Sequence, residues 1–139
     1  MITSPVKIVL VNPSHPGNIG ATARAMKTMG FTDLVLVNPR SFPDYQATVM
    51  ATNAIDVLEQ ATCCQSLDEA IADVNLVMAT SARSRALQWS CITPAEASRV
   101  WRQQGSTHSV AILFGCERNG LSNEDLAKCH YHIQIPTSN

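Results

Sequence analysis

The chain has 139 residues, which fits one domain large enough to bury a core. Hydrophobic residues make up 45% of it and charged residues 15%, and no stretch approaches the roughly 20 apolar residues that a membrane-spanning helix needs, so we expect no membrane partner. Ten Lys and Arg against eleven Asp and Glu give a formal charge of −1, which excludes nucleic-acid binding by overall charge and leaves only a local basic patch.

Apolar runs alternate with amphipathic segments along the chain, which is typical of an α/β protein with a parallel sheet and helices on its faces. Most of the runs are continuously apolar, which indicates strands buried on both sides. The predicted strands cover residues 6–12, 33–37, 62–65, 74–80, 109–114 and 131–135.

The first helix is predicted directly after strand 6–12. Asn18 is expected to cap its N-terminus, and Gly30 is expected to end it. The predicted buried side of this helix consists of Ala21, Ala25, Met26 and Met29.

Capping signals predict three more helices. Residues 66–69 and 93–96 each match a capping box, and Ser122 is expected to begin a last helix through Leu126. No internal repeat, low-complexity tract or linker is evident, so the sequence predicts a single domain over residues 1–139.

Five cysteines occur at positions 63, 64, 91, 116 and 129, an odd number without a CxxC pair, which argues against a disulfide framework and a zinc ribbon. Cys129, His130 and His132 lie close enough to suggest a metal site, but a strand would place only alternate side chains on one face, and no fourth ligand is evident. We therefore expect reduced thiols and no metal. The N-terminal segment lacks a basic lead followed by an apolar signal core, which predicts a cytoplasmic protein.

Four loops follow predicted strands: 12–20, 38–45, 80–90 and 115–121. Open parallel sheets bind ligands beyond the carboxyl ends of their strands, so these loops are the candidates for a functional site. The first contains neither GxGxxG nor GxxxxGK[ST], which disfavours a dehydrogenase or a kinase.

The first loop leads into the predicted helix through "GNIGATAR". Gly17 and Gly20 would allow close backbone approach, and the free N–H groups of the helix N-terminus would bind an anion. Arg24, one turn inside the predicted helix, would project toward the same opening. The alternative is a solvated arginine on an exposed face.

Loops 80–90 and 115–121 contain polar and charged side chains that could contact a ligand. Thr80 and Ser81 offer hydroxyls at a strand end, and Glu117 is expected to hold its own loop by accepting backbone N–H groups. Cations near these loops would form a basic rim for a phosphate backbone, because guanidinium groups match phosphate geometry; the alternative is an ordinary polar loop. The expected rim consists of Arg24, Lys27, Arg83, Arg85 and Arg118.

Three motifs occur together in this chain: "NIGATAR" at 18–24, "ATSARSR" at 79–85 and "FGCERNGL" at 114–121, followed by "IQIPTS" at 133–138. In this order they closely resemble the SPOUT class of RNA methyltransferases, and within it the TrmJ-type tRNA 2′-O-methyltransferases. The resemblance implies a Rossmann-like α/β fold with a C-terminal trefoil knot, a homodimer, and S-adenosyl-L-methionine as methyl donor. It also implies tRNA as partner, methylated on the ribose 2′-hydroxyl of a pyrimidine at position 32 of the anticodon loop.

Site residues follow from the same resemblance. The catalytic arginine falls on Arg24, which would fix a phosphate or steady the developing oxyanion, since arginine stays protonated; a nearby phosphate would then take the proton. Arg83 and Arg85 would join Arg24 in contacting tRNA. The cofactor pocket is expected to consist of Thr80, Ser81, Ala82, Gly115 and Ile135.

One departure from the family is visible. The third motif of the family continues into a serine-leucine-asparagine stretch and a final helix, whereas this sequence stops at Asn139. We therefore expect a C-terminally truncated portion of a longer protein, with no methyltransferase activity in a polypeptide ending there. The alternatives are a ribosomal RNA methyltransferase of the same class and a catalytically silent RNA-binding or dimerisation module.

Overall fold

The computed structural model describes residues 6–81, 91–92, 99, 109–116 and 120–134. In these ranges seven strands pair in parallel in one sheet, in the order β3-β2-β1-β6-β4-β7-β5. The strands are β1 (Val6–Val11), β2 (Asp33–Val37), β3 (Thr62–Cys64), β4 (Leu76–Ser81), β5 (Cys91–Ile92), β6 (Val110–Phe114) and β7 (Tyr131–Gln134).

The predicted strands are confirmed, and with them the α/β class with a parallel sheet and helices on both faces. Strand 33–37 has the predicted bounds, and the others differ by one or two residues at an end. The edge strand β5 was not predicted, because two residues are too few to show a periodic pattern.

Helices cover both faces of the sheet. Within the described ranges the helices with defined bounds are α1 (Pro16–Met29), α2 (Tyr45–Ala51), a 3-10 turn (Thr52–Ala54), α3 (Ile55–Glu59), α4 (Leu67–Ile71) and α5 (Asn123–Leu126). The capping signals at Ser66 and Ser122 are confirmed, since their hydroxyls accept hydrogen bonds from the backbone N–H groups of Glu69 and Asp125. Residues 93–96 lie outside the described ranges. Helices α2 and α3 were not predicted, although Asp44 caps the N-terminus of α2 by accepting the N–H of Gln46.

The sheet separates two hydrophobic cores. Ile8 and Leu10 of β1 face the core beneath α1, α2 and α3, whereas Val9 and Val11 face the core beneath α4 and α5. Alternate side chains of one strand thus serve both layers, which confirms that the central strands are buried on both sides. Among the described residues no helix is long and apolar enough to cross a membrane.

Helix α1 departs from its prediction at one end. It begins at Pro16, and His15 is the extended N-cap residue, so the expected cap at Asn18 is wrong: proline at the first position is a start signal with a preset φ. The predicted end is confirmed, because Gly30 adopts a left-handed φ of 84°. The buried side is rotated from the predicted one and consists of Ile19, Gly20, Ala23 and Met26.

The strands β1 and β2 end in the same way. Each ends in the tetrapeptide Leu-Val-Asn-Pro, at 10–13 and 36–39. Both asparagines have a left-handed φ, 53° at Asn12 and 49° at Asn38. The N–H of Asn12 donates to Val37 O at 2.9 Å, and the N–H of Asn38 donates to Cys64 O at 2.8 Å. Each strand exit is therefore fastened to the next strand outward, which holds the two following loops at one edge of the sheet.

Candidate functional site

The carboxyl ends of β1, β6 and β4 lie side by side. Leu10 pairs with Phe114, and Ala79 pairs with Leu113. The chain leaves β1 toward β2 on one side while β6 adjoins β1 on the other, so a topological switch point lies between β1 and β6. The strand ends that carry or precede the three motifs therefore lie at one edge, as the sequence predicted.

Thr80 and Ser81 lie at the end of β4, between β6 and β7. The hydroxyl of half-buried Thr80 donates to Leu113 O at 2.8 Å, which ties the two strands together where the site begins. Register pairs Thr80 with Ile133 and Ser81 with Gln134. The Thr80 oxygen keeps acceptor capacity after this bond, so it can still receive a hydrogen bond from a ligand.

Gly115 begins a loop that folds back on itself. A β-carbon at this position would lie 2.1 Å from Gly120 C and 2.2 Å from Leu121 N, so only glycine fits. The loop is closed where the N–H of Gly120 donates to Cys116 O at 2.9 Å. Gly115, which has no side chain, therefore leaves its backbone groups uncovered at the switch point between β1 and β6.

A groove of about 530 Å³ lies between α1 and the sheet, and Gly115 contributes to it. Its wall is mostly apolar and follows one stripe of α1, at positions separated by three or four residues. The lining is Ile8, Leu10, Pro13, Asn18, Ala21, Thr22, Ala25, Met26, Met29, Phe114 and Gly115. Such a groove suits an apolar or mixed ligand, or another protein segment.

Asn18 lies on a different side of α1 from Gly20 and Arg24, which are one turn apart. Asn18 lines the groove, whereas Gly20 faces α2, where a β-carbon would lie 2.1 Å from Ala47 O. The expected close approach at Gly20 is therefore made by α2 and not by a ligand. Gly17 has ordinary room, with Met50 Cγ at 3.6 Å from a β-carbon placed there.

Arg24 is exposed on α1 and lies outside the groove lining. Because the helix starts at Pro16, Arg24 is about two turns inside it, roughly 12 Å along the axis, and not one turn as predicted. Helical side chains lean toward the N-terminus, so we expect the Arg24 side chain to lie over the turn at Gly20, in the direction of the carboxyl edge.

The remaining predicted site residues lie outside the described ranges. They are Ala82, Arg83, Arg85, Glu117, Arg118 and Ile135.

Lysines in the described ranges are neutralised by carboxylates. Lys7 pairs with Asp73 at 2.7 Å, Lys27 with Asp56 at 3.0 Å, and Lys128 with Asp68 at 2.9 Å. The hydrogen bond from Lys27 lowers the pKa of Asp56. Lys27 is thus held against α3, away from the carboxyl edge, and does not belong to the predicted basic rim.

The suspected metal ligands are engaged otherwise. The Cys129 thiol donates to Asp125 O at 3.4 Å, and burial raises its pKa to about 12. Nδ1 of His130 accepts the backbone N–H of Val77 at 2.9 Å. Over the described residues no group of three or more His, Cys, Asp or Glu side chains is arranged to hold a metal ion.

An open parallel sheet with a candidate site at its switch point and these three loop motifs are the features of one class of protein. The chain belongs to the SpoU rRNA Methylase family, whose model matches residues 5–139. It is 53% identical over 133 residues to the tRNA (cytidine/uridine-2′-O-)-methyltransferase TrmJ of Photorhabdus laumondii subsp. laumondii. The matched residues are 96% of this chain and 55% of that relative.

Solved structures of similar proteins superpose closely. TrmJ from Z. mobilis ZM4 has a TM-score of 0.89 at 37% identity, over 99% of this chain and 60% of that one. A probable methylase family protein from Haemophilus influenzae Rd KW20 superposes with a TM-score of 0.89 at 45% identity, and the match covers 99% of this chain and 57% of that protein's chain. The resemblance expected from the motifs is confirmed, and the chain spans about half the length of the curated relatives it matches.

Proposed function

We propose that this chain is the methyltransferase domain of an S-adenosyl-L-methionine-dependent tRNA methyltransferase. Its product is a 2′-O-methylated ribose on a cytidine or uridine at position 32 of the anticodon loop. The observation that carries the proposal is the 53% identity, over 96% of this chain, to a relative named for cytidine/uridine 2′-O-methylation of tRNA. The convergence of the β1, β6 and β4 ends supports it, because donor and acceptor must meet at one place.

The described part of the site fits the cofactor. Thr80 retains an acceptor oxygen, and Gly115 exposes backbone beside an apolar groove, which suits a ligand with polar and apolar parts. We assign cofactor binding to these two residues together with Ser81, Ala82 and Ile135. When bound, S-adenosyl-L-methionine supplies an electrophilic methyl group on a sulfonium sulfur.

Arg24 acts on the RNA in this proposal. Its guanidinium remains protonated and offers five N–H donors, so it orients a phosphate beside the target ribose and stabilises negative charge that develops on the 2′-oxygen. It does not remove the proton, which passes to a nearby phosphate. Arg83 and Arg85 bind the tRNA backbone.

The assembly proposed for this enzyme is a cytoplasmic homodimer whose C-terminal part is knotted. Met29, the last residue of α1, lines the apolar groove and is 63% exposed, which supports a partner on this side of α1. Met26, by contrast, is buried in the core at 1% exposure. Light scattering on the complete gene product at micromolar concentration tests the dimer, and a monomeric mass would contradict it.

The test of function is methyl transfer by the complete gene product. Radiolabelled S-adenosyl-L-methionine is offered with total tRNA and, separately, with ribosomal RNA; label in tRNA mapped to the ribose at position 32 is the expected result. Label in ribosomal RNA alone would support the alternative substrate, and RNA binding without cofactor binding would support a silent module.

Arg24→Ala tests the site assignment. Transition-state contacts of this kind are worth about 10²–10³ in rate, so transfer should fall by that factor. Cofactor affinity by calorimetry should stay within about twofold, since Arg24 faces the RNA in the proposal. A large loss of cofactor binding would mean that Arg24 is misassigned.

A further inference from the structure

We propose that Arg40 and Tyr45, together with Val49 and Met50, bind single-stranded nucleotides of the RNA substrate beside the reaction centre. These four residues are named the α2 surface. The inference rests on the proposed function and extends it to a second RNA contact, on the loop after β2 and the outer side of α2.

The α2 surface lies at the same edge of the sheet as the motifs. Arg40 is in the loop that follows β2, and its backbone N–H donates to Pro13 O at 3.0 Å, which attaches this loop to the one leading into α1. Tyr45 is the first residue of α2, at the end of the same loop. A nucleotide bound at the carboxyl edge can therefore contact both loops.

The loop between Arg40 and Tyr45 is held in one conformation. The Ser41 hydroxyl donates to Asp44 Oδ2 at 2.8 Å, and the N–H of Gln46 donates to Asp44 Oδ1 at 2.8 Å. These bonds engage the carboxylate of Asp44 within the loop. A pre-ordered loop loses little entropy on binding, which favours it as a docking element.

Helix α2 has its large apolar side chains on the outside. Tyr45 is 80% exposed, Val49 50% and Met50 41%, whereas Ala47 and Ala51 fill the inner positions. The close crossing with α1 at Gly20 explains why only small residues fit inside. Tyr45 and Val49 are neighbours on the helix surface because they are four residues apart, so the aromatic ring and the Val49 side chain form one exposed apolar strip. Nucleic-acid bases can stack on such a strip.

Unpaired positive charge accompanies this strip. Among the described residues Arg40 has no carboxylate partner, in contrast to the three lysines, each of which has one. Arg24 is likewise unpaired there, one turn beyond Gly20, where α1 packs on α2. Arg40, in the loop before α2, and Arg24, on the helix that packs against α2, thus add positive charge on the elements that adjoin the α2 surface, with no carboxylate partner among the described residues. That combination matches phosphates and bases of one RNA strand, whereas an apolar protein partner would leave both charges buried and unpaired.

Binding of a synthetic tRNA anticodon stem–loop, followed by fluorescence anisotropy on the complete gene product, tests the α2 surface. Arg40→Ala should weaken binding about tenfold and lower the slope of log affinity against log salt by about one. Tyr45→Ala should weaken it about tenfold, while Tyr45→Phe, which keeps the ring, should stay within about twofold of wild type. Lys7→Gln removes the same charge at the opposite edge and should have little effect.

Methyl transfer to tRNA, measured in parallel, separates this inference from the proposed function. A wild-type protein that binds the stem–loop but transfers no methyl group contradicts the proposed function alone. Unchanged stem–loop affinity in both Arg40→Ala and Tyr45→Ala overturns the α2 surface, as does a wild-type protein that binds no stem–loop. A change in oligomeric mass without a change in RNA affinity would also overturn it and assign the surface to contact between copies.

Discussion

Gly20→Ala should destabilise the protein even though alanine is the better helix former. A β-carbon at this position would lie 2.1 Å from Ala47 O and 2.9 Å from Ala51 N, against the 3.0 Å below which such contacts are essentially absent. Both neighbours are backbone atoms, so α1 and α2 must separate by nearly 1 Å. Overpacking costs about 1–3 kcal/mol, and we expect the upper part of this range, about 2–3 kcal/mol, because backbone atoms cannot move aside as side chains do; the gain in helix propensity is about 1 kcal/mol.

The expected net loss is about 1–2 kcal/mol, and with a urea dependence of about 2 kcal/mol per molar the midpoint falls by roughly 0.5–1 M. Equilibrium unfolding followed by far-ultraviolet circular dichroism measures this shift. Gly17→Ala is the matched control, since its methyl group meets only Met50 Cγ at 3.6 Å, and it should be neutral or stabilising by a few tenths of a kcal/mol. Equal midpoints for the two variants would refute the close crossing of α1 and α2.

Three further predictions concern a carboxyl, two thiols and a hydroxyl. Burial raises the pKa of the Asp33 carboxyl above its usual 3.8, so the folded state binds the carboxyl proton more tightly than the unfolded state does. The free energy of unfolding therefore falls as the pH rises from the unfolded-state pKa through the folded-state pKa. Asp33→Asn should therefore stabilise the protein at pH 7 but not at pH 3 in urea unfolding; the same effect at both would contradict this cause. Iodoacetamide should modify exposed Cys63 in the native protein and Cys129 only after denaturation, as read by peptide mass spectrometry, and equal rates would oppose the burial of Cys129. Thr80→Val should lower the free energy of unfolding by about 1–2 kcal/mol because Leu113 O loses its donor, and Thr80→Ser, which keeps the hydroxyl, should lose less.

The strands were predictable because burial on both faces leaves a continuous apolar run. Residues 33–37 form a strand whose last four side chains are all buried, and turn residues limit it on both sides. Helix starts were predictable where a hydroxyl caps the chain, as at Ser66 and Ser122. At α1 the correct start signal was Pro16, and it was overlooked because Asn18, a common capping residue, follows two residues later.

Helices α2 and α3 could not be recognised from apolar periodicity. In α2 the large apolar side chains, such as Tyr45 and Val49, are exposed, while the buried positions carry Ala47 and Ala51. The usual relation between side-chain size and burial is therefore inverted. The reason is the tight approach of α1 at Gly20, a tertiary contact that no local pattern reports.

The sheet edge that carries the candidate site was predictable, but the direction of its side chains was not. Parallel strands guarantee a common carboxyl edge, which the pairing of Leu10 with Phe114 and of Ala79 with Leu113 confirms. Whether Gly20 faces a ligand or a helix depends on where α2 packs, and this required the structure. Arg40 lies in loop 38–45, which the sequence marked as a candidate because it follows a strand end, but it belongs to none of the three motifs and was not singled out.

The pairing of β1 with β6 has a consequence during translation. The strands β1 to β3 can assemble soon after synthesis, but the other edge of β1 waits for Val110–Phe114, about a hundred residues later. At roughly 5–20 residues per second the ribosome needs on the order of 5–20 s to supply them. An unpaired strand edge is a template for aggregation, so the yield of native protein should rise when chaperones shield nascent β1 during this interval.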